Sequence, residues 1–266
     1  MTDDAPVPSP PPSSTAMSPR MLAQRVEPTP RQEQLRRIAA ANRALMEDMV
    51  GTEVDADDLA SVAEELEALA ARFRRDRPRS LYEGLAEAAM AGGPMEAFFD
   101  HSPLIGLANP LAPPILLDLG PEEVVGRVTF GALYEGPPGC VHGGFVAAAF
   151  DEVLGAAQAY SGAPGMTVRL TVNYRRPTPL RAPLEIVGRF DRIEGRKVFT
   201  SGRILADGEV TAEAEGLFVS IDGSKFRELA ERFDRRVGGG GGSPRRSFSR
   251  RSSMVESPPA RCLSDW

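Results

Sequence analysis

A short segment holds residue types that together could stabilise a charged reaction intermediate. Residues 136–144 read Gly-Pro-Pro-Gly-Cys-Val-His-Gly-Gly, and the apolar run that follows predicts a helix from Gly143 to about Tyr160. Backbone N–H groups at a helix start lack partners within the helix, and the helix dipole there favours negative charge. Because glycine has no Cβ, a carbonyl can approach the N–H groups of Gly143 and Gly144 closely. This arrangement suits an oxyanion developing on a thioester or ester; the alternative is a glycine-rich turn that feeds a tightly packed helix.

The predicted helix also carries two adjacent carboxylates, Asp151 and Glu152, in apolar surroundings. A helix that is apolar on almost every side belongs at the centre of a fold, where an unused carboxylate is costly. Burial is expected to make Asp151 the better base, with Glu152, about 100° away around the helix, as second choice. The structural alternative is a carboxylate that only bonds to strand hydroxyls or to backbone.

The spacing between these groups limits how they can act. Nine residues separate His142 from Asp151, which is about 13 Å at the helical rise per residue. One helix therefore cannot place the Gly143 N–H and the Asp151 carboxylate on the same carbon atom. If both act on one substrate, they come from two copies of the chain, and the site lies at a dimer interface.

The elements around this helix predict an α+β unit over residues 115–222. Strands are expected at 115–119, 124–130, 166–174, 184–190, 198–205 and 210–221, with a hairpin turn at Asp207-Gly208 and a β-bulge at Gly216. One buried helix before several antiparallel strands predicts a helix on the concave face of a curled sheet.

The flanking segments divide the remainder of the chain. We expect a disordered Pro/Ser-rich tail at 1–30, a helical hairpin at 31–76 whose second helix is capped by Asp55, and a connector at 77–114. A C-terminal helix is predicted at 223–237, followed by a disordered Gly/Arg/Ser tail at 238–266.

Composition excludes several classes of function. The formal net charge of −6 at pH 7 argues against nucleic acid as a partner. Two cysteines and two histidines leave little for a disulfide framework or a zinc centre. No run is long enough for a membrane span, and the N-terminus lacks the pattern of a signal peptide. The expected compartment is therefore the cytoplasm.

The run Glu135–Gly144, with Asp151 nine positions after His142, resembles the hotdog-fold acyl-CoA thioesterases. Among them it is most similar to the PaaI-like branch and to the animal thioesterase superfamily members that act on fatty acyl-CoA. The resemblance covers roughly residues 96–221, including Asn109-Pro-Leu-Ala-Pro-Pro and Tyr174-Arg-Arg-Pro. It implies a hotdog fold and hydrolysis of acyl-CoA as substrate in fatty acid metabolism. It also implies that no metal or other cofactor takes part, and that the protein is a homodimer or homotetramer with shared active sites.

The resemblance also implies roles for individual residues. Asp151 stands where the family has its general base or nucleophile, and Gly143 where it has the oxyanion N–H. Thr167, sixteen residues beyond the acid, corresponds to the residue that orients water, while His142 and Gly144 support the loop. Many relatives carry an amide side chain six residues before the histidine. Here that place is Gly136, beside Glu135, so the role is vacant or filled differently.

Other residues are candidates for substrate binding or catalysis, and two other functions compete with hydrolysis. Arg175, Arg176 and Arg181 are candidates for the phosphates of coenzyme A, with an exposed strand rim as the alternative. Cys140 beside His142 suggests a thiol nucleophile, but it has no matching orienting group. The competing functions are a non-catalytic acyl-CoA-binding or regulatory hotdog protein and an enoyl-CoA hydratase-type hotdog enzyme. The second requires an Asp/His motif that this sequence does not show.

Overall fold

The computed structural model describes residues 28–74, 100–163 and 165–220. Its helices are α1 (Pro30–Met49), α2 (Ala56–Arg74) and α3 (Gly143–Ala157), and its strands are β1 (Leu116–Leu119), β2 (Glu123–Val128), β3 (Gly165–Tyr174), β4 (Leu184–Glu194), β5 (Lys197–Ala206) and β6 (Glu209–Ser220). Short 3-10 helices span Ala132–Tyr134 and Gln158–Ser161. The predicted tails, the C-terminal helix and residues 75–99 of the predicted hairpin and connector fall outside the described residues, apart from the short stretch 28–30.

The two N-terminal helices begin at caps that local sequence supplies. Thr29 and Gln32 form a capping box at the start of α1, with Pro30 in the first turn. The Asp55 side chain accepts the N–H groups of Asp57 and Asp58, which confirms the predicted cap of α2. None of the residues of α2 is buried. The packing of a helical hairpin through the apolar stripe of α2 therefore stays a prediction.

The six strands form one antiparallel sheet in the order β1-β2-β4-β5-β6-β3. The connection between β5 and β6 is the predicted hairpin, because Asp207 and Gly208 both adopt positive φ, 50° and 79°. Strand β3 comes directly after α3 in the chain but lies at the edge of the sheet, beside β6. This position leaves one side of β3 unpaired by any described strand.

The β-bulge predicted at Gly216 is wrong. Gly216 pairs in register with Thr200 on β5 and with Leu170 on β3. The irregularities in the pairing of β6 lie elsewhere: Leu205 of β5 pairs with Val210 and leaves Thr211 as the extra residue on β6. On the other side of β6, Val168 is the extra residue on β3. Glycine is needed at 216 for another reason: a Cβ there would stand 2.7 Å from Thr200 Oγ1.

Helix α3 lies against the curled sheet and forms the core with it, as predicted. It begins at Gly143, continues into the 3-10 helix, and ends where Gly162 takes φ 68°. Its buried residues are Val146, Ala149, Phe150, Val153, Leu154 and Ala157. Burial of each large apolar side chain there stabilises the folded state by roughly 1.5–3 kcal/mol. Gly188 lets the helix approach closely, since a Cβ at 188 would stand 2.9 Å from Val153 Cγ1.

None of the helices in the described part of the chain is long and apolar enough to cross a membrane. The cytoplasmic compartment expected from the sequence stays a prediction.

Candidate active site

The predicted acid and the predicted water-orienting residue are in contact. Thr167 Oγ1 donates a hydrogen bond to Asp151 Oδ1 at 2.8 Å. Thr167 stands near the start of β3 and Asp151 in the middle of α3, so the contact joins the helix to the edge strand. One carboxylate oxygen is therefore held by a hydroxyl, while Oδ2 has no hydrogen bond to any described residue.

The expectation that the fold buries Asp151 is wrong for the single chain, where the residue is exposed. The inward face of α3 passes through Phe150 and Val153, and Asp151 is turned away from it toward the uncovered edge strand. Desolvation of Asp151 would have to come from something that covers this edge.

The partly buried carboxylate on α3 is Glu152, the second choice of the sequence argument. Burial raises the pKa of Glu152, the hydroxyl of Ser102 works in the opposite direction, and the charge of Asp151 raises the pKa further. Ser102 Oγ donates to Glu152 Oε2 at 3.4 Å, and it accepts the N–H groups of Leu104 and Ile105. Glu152 thus binds the connector rather than Thr167.

Among the described residues, one backbone N–H group at the helix start has no acceptor. His142 caps α3, and its Nδ1 accepts the N–H of Gly144 at 3.0 Å. The His142 N–H itself donates to the carbonyl of Tyr134 at 2.8 Å. The N–H of Gly143 donates to none of the described residues. Gly143 is therefore the available oxyanion donor, and His142 and Gly144 hold the loop.

Tyr174 is a residue of this site that the sequence argument did not single out. Its hydroxyl donates to the carbonyl oxygen of Gly143 at 2.8 Å. A Cβ on Gly143 would stand 3.3 Å from the same hydroxyl, so the phenol lies directly against the glycine. The signal available in the sequence was the alternation along β3, which places Tyr174 on the same face as Leu170 and Val172.

A second residue missed by the sequence argument fixes the other end of β3. Buried Gln158 accepts the N–H of Gly165 at 2.9 Å and donates to its carbonyl at 3.2 Å. Strand β3 thus runs antiparallel to α3 and touches it at three points, Gln158–Gly165, Asp151–Thr167 and Gly143–Tyr174.

The geometry of the Gly-Pro-Pro-Gly loop explains why position 136 carries glycine instead of a residue with an amide side chain. The Glu135 carboxylate accepts the Gly139 N–H at 2.7 Å and so closes the turn. A Cβ on Gly136 would stand 2.7 Å from His142 Cα, so a larger residue there requires the loop to move. Cys140 is half-buried and its Sγ lies 3.6 Å from the Pro138 carbonyl oxygen. Since the Nδ1 of His142 is occupied by Gly144, the imidazole does not orient this thiol through that atom.

The three candidate arginines lie on the surface near the ends of β3 and β4, each beside a carboxylate. Arg175 contacts Glu213 at 2.7 Å, Arg176 contacts Glu209, and Arg181 contacts Glu47 at 3.4 Å. Their side chains are 59%, 60% and 70% exposed, so each ion pair is worth about 1 kcal/mol or less. A phosphate group could compete for these guanidinium groups.

Within the described residues no cluster of histidine, cysteine, aspartate and glutamate could hold a metal ion.

Comparison with known proteins places this geometry in a family. The family model of the thioesterase superfamily matches residues 138–213, which include Gly143, Asp151, Thr167 and Tyr174. The acyl-coenzyme A thioesterase THEM4 of Xenopus laevis is 42% identical over 93 residues, or 34% of this chain and 42% of the relative. THEM4 of Bos taurus is 38% identical over 97 residues, covering 36% and 40%. The chain thus spans less than half the length of these curated relatives.

A solved structure extends the comparison beyond the core of the fold. The crystal structure of a thioesterase superfamily protein is 39% identical and superposes with a TM-score of 0.62. The match covers 70% of this chain and 90% of that one. Identity at this level over nearly all of a solved relative, together with one helix packed in a curled antiparallel sheet, leads to one conclusion: the chain belongs to the thioesterase superfamily and has the hotdog fold.

Proposed function

We propose that this protein hydrolyses an acyl-CoA thioester to a free carboxylic acid and coenzyme A. The observation that carries the proposal is the Thr167–Asp151 hydrogen bond, on a helix whose first N–H, that of Gly143, is free for an oxyanion. The relatives from Xenopus laevis and Bos taurus, which bear the name acyl-coenzyme A thioesterase, support the class of substrate.

The chemistry follows from the hydrogen bonds of Asp151. Because Thr167 occupies Oδ1, Oδ2 is the oxygen that takes a proton from water as the water oxygen attacks the thioester carbon. The carbonyl oxygen becomes an oxyanion that accepts the N–H of Gly143. The carbon–sulfur bond then breaks, and protonated Asp151 returns its proton to the departing thiolate. In the alternative, Asp151 attacks the carbon directly and the carbon–sulfur bond breaks, which gives a mixed anhydride and the coenzyme A thiolate. Water then hydrolyses the anhydride, which restores Asp151, and the proton released goes to the thiolate.

The two groups come from different subunits in this proposal. Gly143 and Asp151 stand eight residues apart on α3, which is about 12 Å along the helix axis. That distance is too large for both to contact the same thioester carbon. An oxyanion donor from a second subunit resolves this, and Asp151 is exposed at the edge where a second subunit could bind.

The edge strand β3 is the surface through which we propose that the subunits pair. It is ten residues long, and Met166, Val168 and Tyr174 on it are 53%, 61% and 55% exposed. A long edge strand with exposed apolar residues is a template for pairing with another chain. Antiparallel pairing of two β3 strands brings the Thr167 end of one to the Tyr174 end of the other. Asp151 then lies beside the Gly143 of the second copy.

This pairing gives a homodimer, and two dimers could further associate into a tetramer. The substrate's phosphate groups are proposed to contact Arg175, Arg176 or Arg181, whose exposed ion pairs are weak. No metal or organic cofactor is needed, because a thioester is a good electrophile and one carboxylate with one oxyanion donor can suffice. Activity in fatty acid metabolism belongs to the same proposal.

Free-thiol release from a panel of acyl-CoA esters of increasing chain length tests the function. We expect release with at least one ester, insensitivity to a chelator, and a loss of about 100-fold or more in kcat for Asp151→Asn. Asp118→Asn is the matched control, because Asp118 is exposed and, among the described residues, its side chain binds only Arg127, at 3.4 Å. Release by Asp151→Asn at the wild-type rate would contradict the mechanism. Tight acyl-CoA binding without release by the wild type would favour a non-catalytic binding protein.

A further inference from the structure

Helix α1 lies outside the predicted α+β unit, yet it contacts the connector at two points and the unit at a third. The Arg36 guanidinium binds the carboxylate of Asp100, with Nε 3.0 Å and 3.1 Å from its two oxygens. Arg43 Nη1 donates to the carbonyl oxygen of Asn109 at 2.9 Å. Glu47 forms the third contact. Spacings of seven and four residues place these three side chains on one face of α1.

The contact of Glu47 is with the backbone of the loop that precedes the site. Its Oε1 accepts the N–H of Ala132 at 2.8 Å, where the 3-10 helix Ala132–Tyr134 begins. That helix has no side-chain cap of its own, since its N-cap residue is Gly131. A Cβ on Gly131 would stand 2.5 Å from Glu47 Oε2, so the glycine leaves the space that the carboxylate occupies. Glu47 therefore caps this 3-10 helix from 85 residues away.

The capped segment leads directly to the oxyanion donor. Tyr134 ends the 3-10 helix, and its carbonyl oxygen accepts the N–H of His142. Its ring packs edge-to-face against Phe145, with ring centroids 4.9 Å apart. Since His142 is the N-cap of α3 and Gly143 is the next residue, the position of the Gly143 N–H depends on that of Tyr134. A hydrogen bond from Ala132 to Glu47, the 3-10 helix itself, and a hydrogen bond from His142 to Tyr134 thus connect Glu47 to the cap of α3.

We propose that Glu47 is a positioning residue for the oxyanion site: by capping the 3-10 helix it fixes the segment that holds the Gly143 N–H in place. This inference rests on the function proposed above. Catalysis by an oxyanion donor depends on its placement, and a displacement of about 1 Å can cost as much as 100-fold in rate. Helix α1 then acts on catalysis through the position of the Gly143 N–H.

Three variants separate positioning from general stability. Glu47→Ala removes the cap, and we expect kcat to fall about tenfold. Because the change also releases Arg181, a proposed phosphate contact, KM should stay the same or fall rather than rise. Glu47→Gln keeps an oxygen that can accept the Ala132 N–H, and it is expected to retain most of kcat. Asp48→Ala is the matched control, since Asp48 is exposed on the same turn and its side chain binds none of the described residues. It should leave kcat unchanged.

A fourth variant perturbs the same contact from the loop side. Gly131→Ala inserts a methyl group where the Glu47 carboxylate lies, while φ at Gly131 is −86°, a value that alanine adopts freely. We expect it to lower kcat as Glu47→Ala does. The double variant Glu47→Ala/Gly131→Ala should be no worse than Glu47→Ala alone, because both changes break one contact. Hydrogen exchange at the amides of residues 132–142 should quicken in each single variant.

Different outcomes would overturn the proposed function and the role of Glu47. A wild-type protein that releases no thiol from any acyl-CoA overturns the proposed function and this inference with it. An active wild type with unchanged kcat in Glu47→Ala overturns the inference alone, as does an equal loss in Asp48→Ala or a failure of Glu47→Gln to restore kcat. If Glu47→Ala does not fold, Glu47→Gln has to keep kcat and Gly131→Ala has to lower it.

Discussion

Tyr174 donates a hydrogen bond from its hydroxyl to the carbonyl oxygen of Gly143, 2.8 Å away, and so ties the end of β3 to the start of α3. The carbonyl belongs to the residue whose N–H is free for an oxyanion. A tyrosine at the end of the edge strand therefore holds the Gly143–Gly144 peptide, which is adjacent to the peptide that carries the Gly143 N–H.

Replacing Tyr174 by phenylalanine should impair turnover more than stability. The ring stays in place while the hydrogen bond, worth about 1 kcal/mol, is lost, so we expect kcat to fall about three- to tenfold. Tyr160→Phe is the control, because the Tyr160 hydroxyl donates to the Gly120 carbonyl at 2.6 Å, in a different part of the sheet. Steady-state kinetics and thermal melts of both variants check this. Equal losses of kcat in the two would show that Tyr174 matters only for folding.

The Thr167 hydroxyl should affect turnover only through its hydrogen bond to Asp151. In Thr167→Val the carboxylate loses the donor at 2.8 Å, and we expect kcat to fall about tenfold or more while KM holds. Thr167→Ser keeps the donor and should retain most activity. Thr171→Val is the control, because Thr171 is exposed on the outward face of the same strand, where it pairs with Glu215. Full activity in Thr167→Val, measured by initial rates of thiol release, would remove Thr167 from the site.

The carboxylate of Glu152 should make stability depend on pH. Burial raises the pKa of Glu152 in the folded state above its ordinary value of 4.5, so the folded protein binds the proton more tightly than the unfolded chain does. The protonated form is thus the stabilising one. This contribution is complete below about pH 4 and is lost as pH rises from the ordinary value through the raised pKa.

Glu152→Gln removes this titration while keeping an acceptor for Ser102. Thermal melts from about pH 4 to pH 7.5 should show the wild type losing stability relative to Glu152→Gln as pH rises. A constant difference between the two proteins across this range, or the opposite slope, would show that Glu152 is not desolvated as the structure indicates.

Replacing each of two buried threonines by valine should change the stability of the protein in opposite directions. Thr200 is 1% exposed, and its Oγ1 has no hydrogen-bond partner among the described residues. Thr211 is 3% exposed and bonds Thr178 Oγ1 at 3.1 Å. Removing an unpaired buried hydroxyl relieves a cost of about 1–3 kcal/mol, whereas breaking a pair leaves the partner unsatisfied. Denaturant melts should therefore show Thr200→Val as stable as the wild type or more so, and Thr211→Val less stable; the reverse order would contradict the assignment.

Local patterns in the sequence predicted much of this fold. The start of α3 and the Asp207-Gly208 hairpin are each determined by neighbouring residues, and the structure confirms them. The alternation predicted along β3 holds from Leu170 onward but is interrupted before it, because Val168 is an extra residue between Thr167 and Arg169. The candidate acid was indicated by its place in an apolar helix and its hydroxyl partner by a family resemblance, and the structure brings the two side chains together. Their catalytic roles stay predictions.

Other features depend on residues far apart in the chain, which periodicity does not report. The contacts of Glu47 with Ala132 and of Ser102 with Glu152 join residues 85 and 50 positions apart. The bulge was misplaced at Gly216 because a glycine needed for close packing looks the same in sequence as one needed for a bulge. The exposure of Asp151 was missed because the core faces other residues of α3.

The central claim, that each active site takes its acid from one subunit and its oxyanion donor from the other, is tested by mixing two inactive variants. Asp151→Asn removes the acid. Gly143→Pro removes the free N–H, and proline is tolerated at the first helical position after His142, whose φ of −59° and ψ of 132° suit a residue before proline.

Each variant alone should be inactive, and subunits exchanged by co-refolding should form hybrid dimers. A hybrid holds one site with an intact Asp151 and an intact Gly143 from different chains, so the mixture should recover about a quarter of wild-type thiol release. Each variant refolded alone is the control. Hybrids shown to form by mass but with no recovered activity would contradict the account, because both groups would then act from one chain.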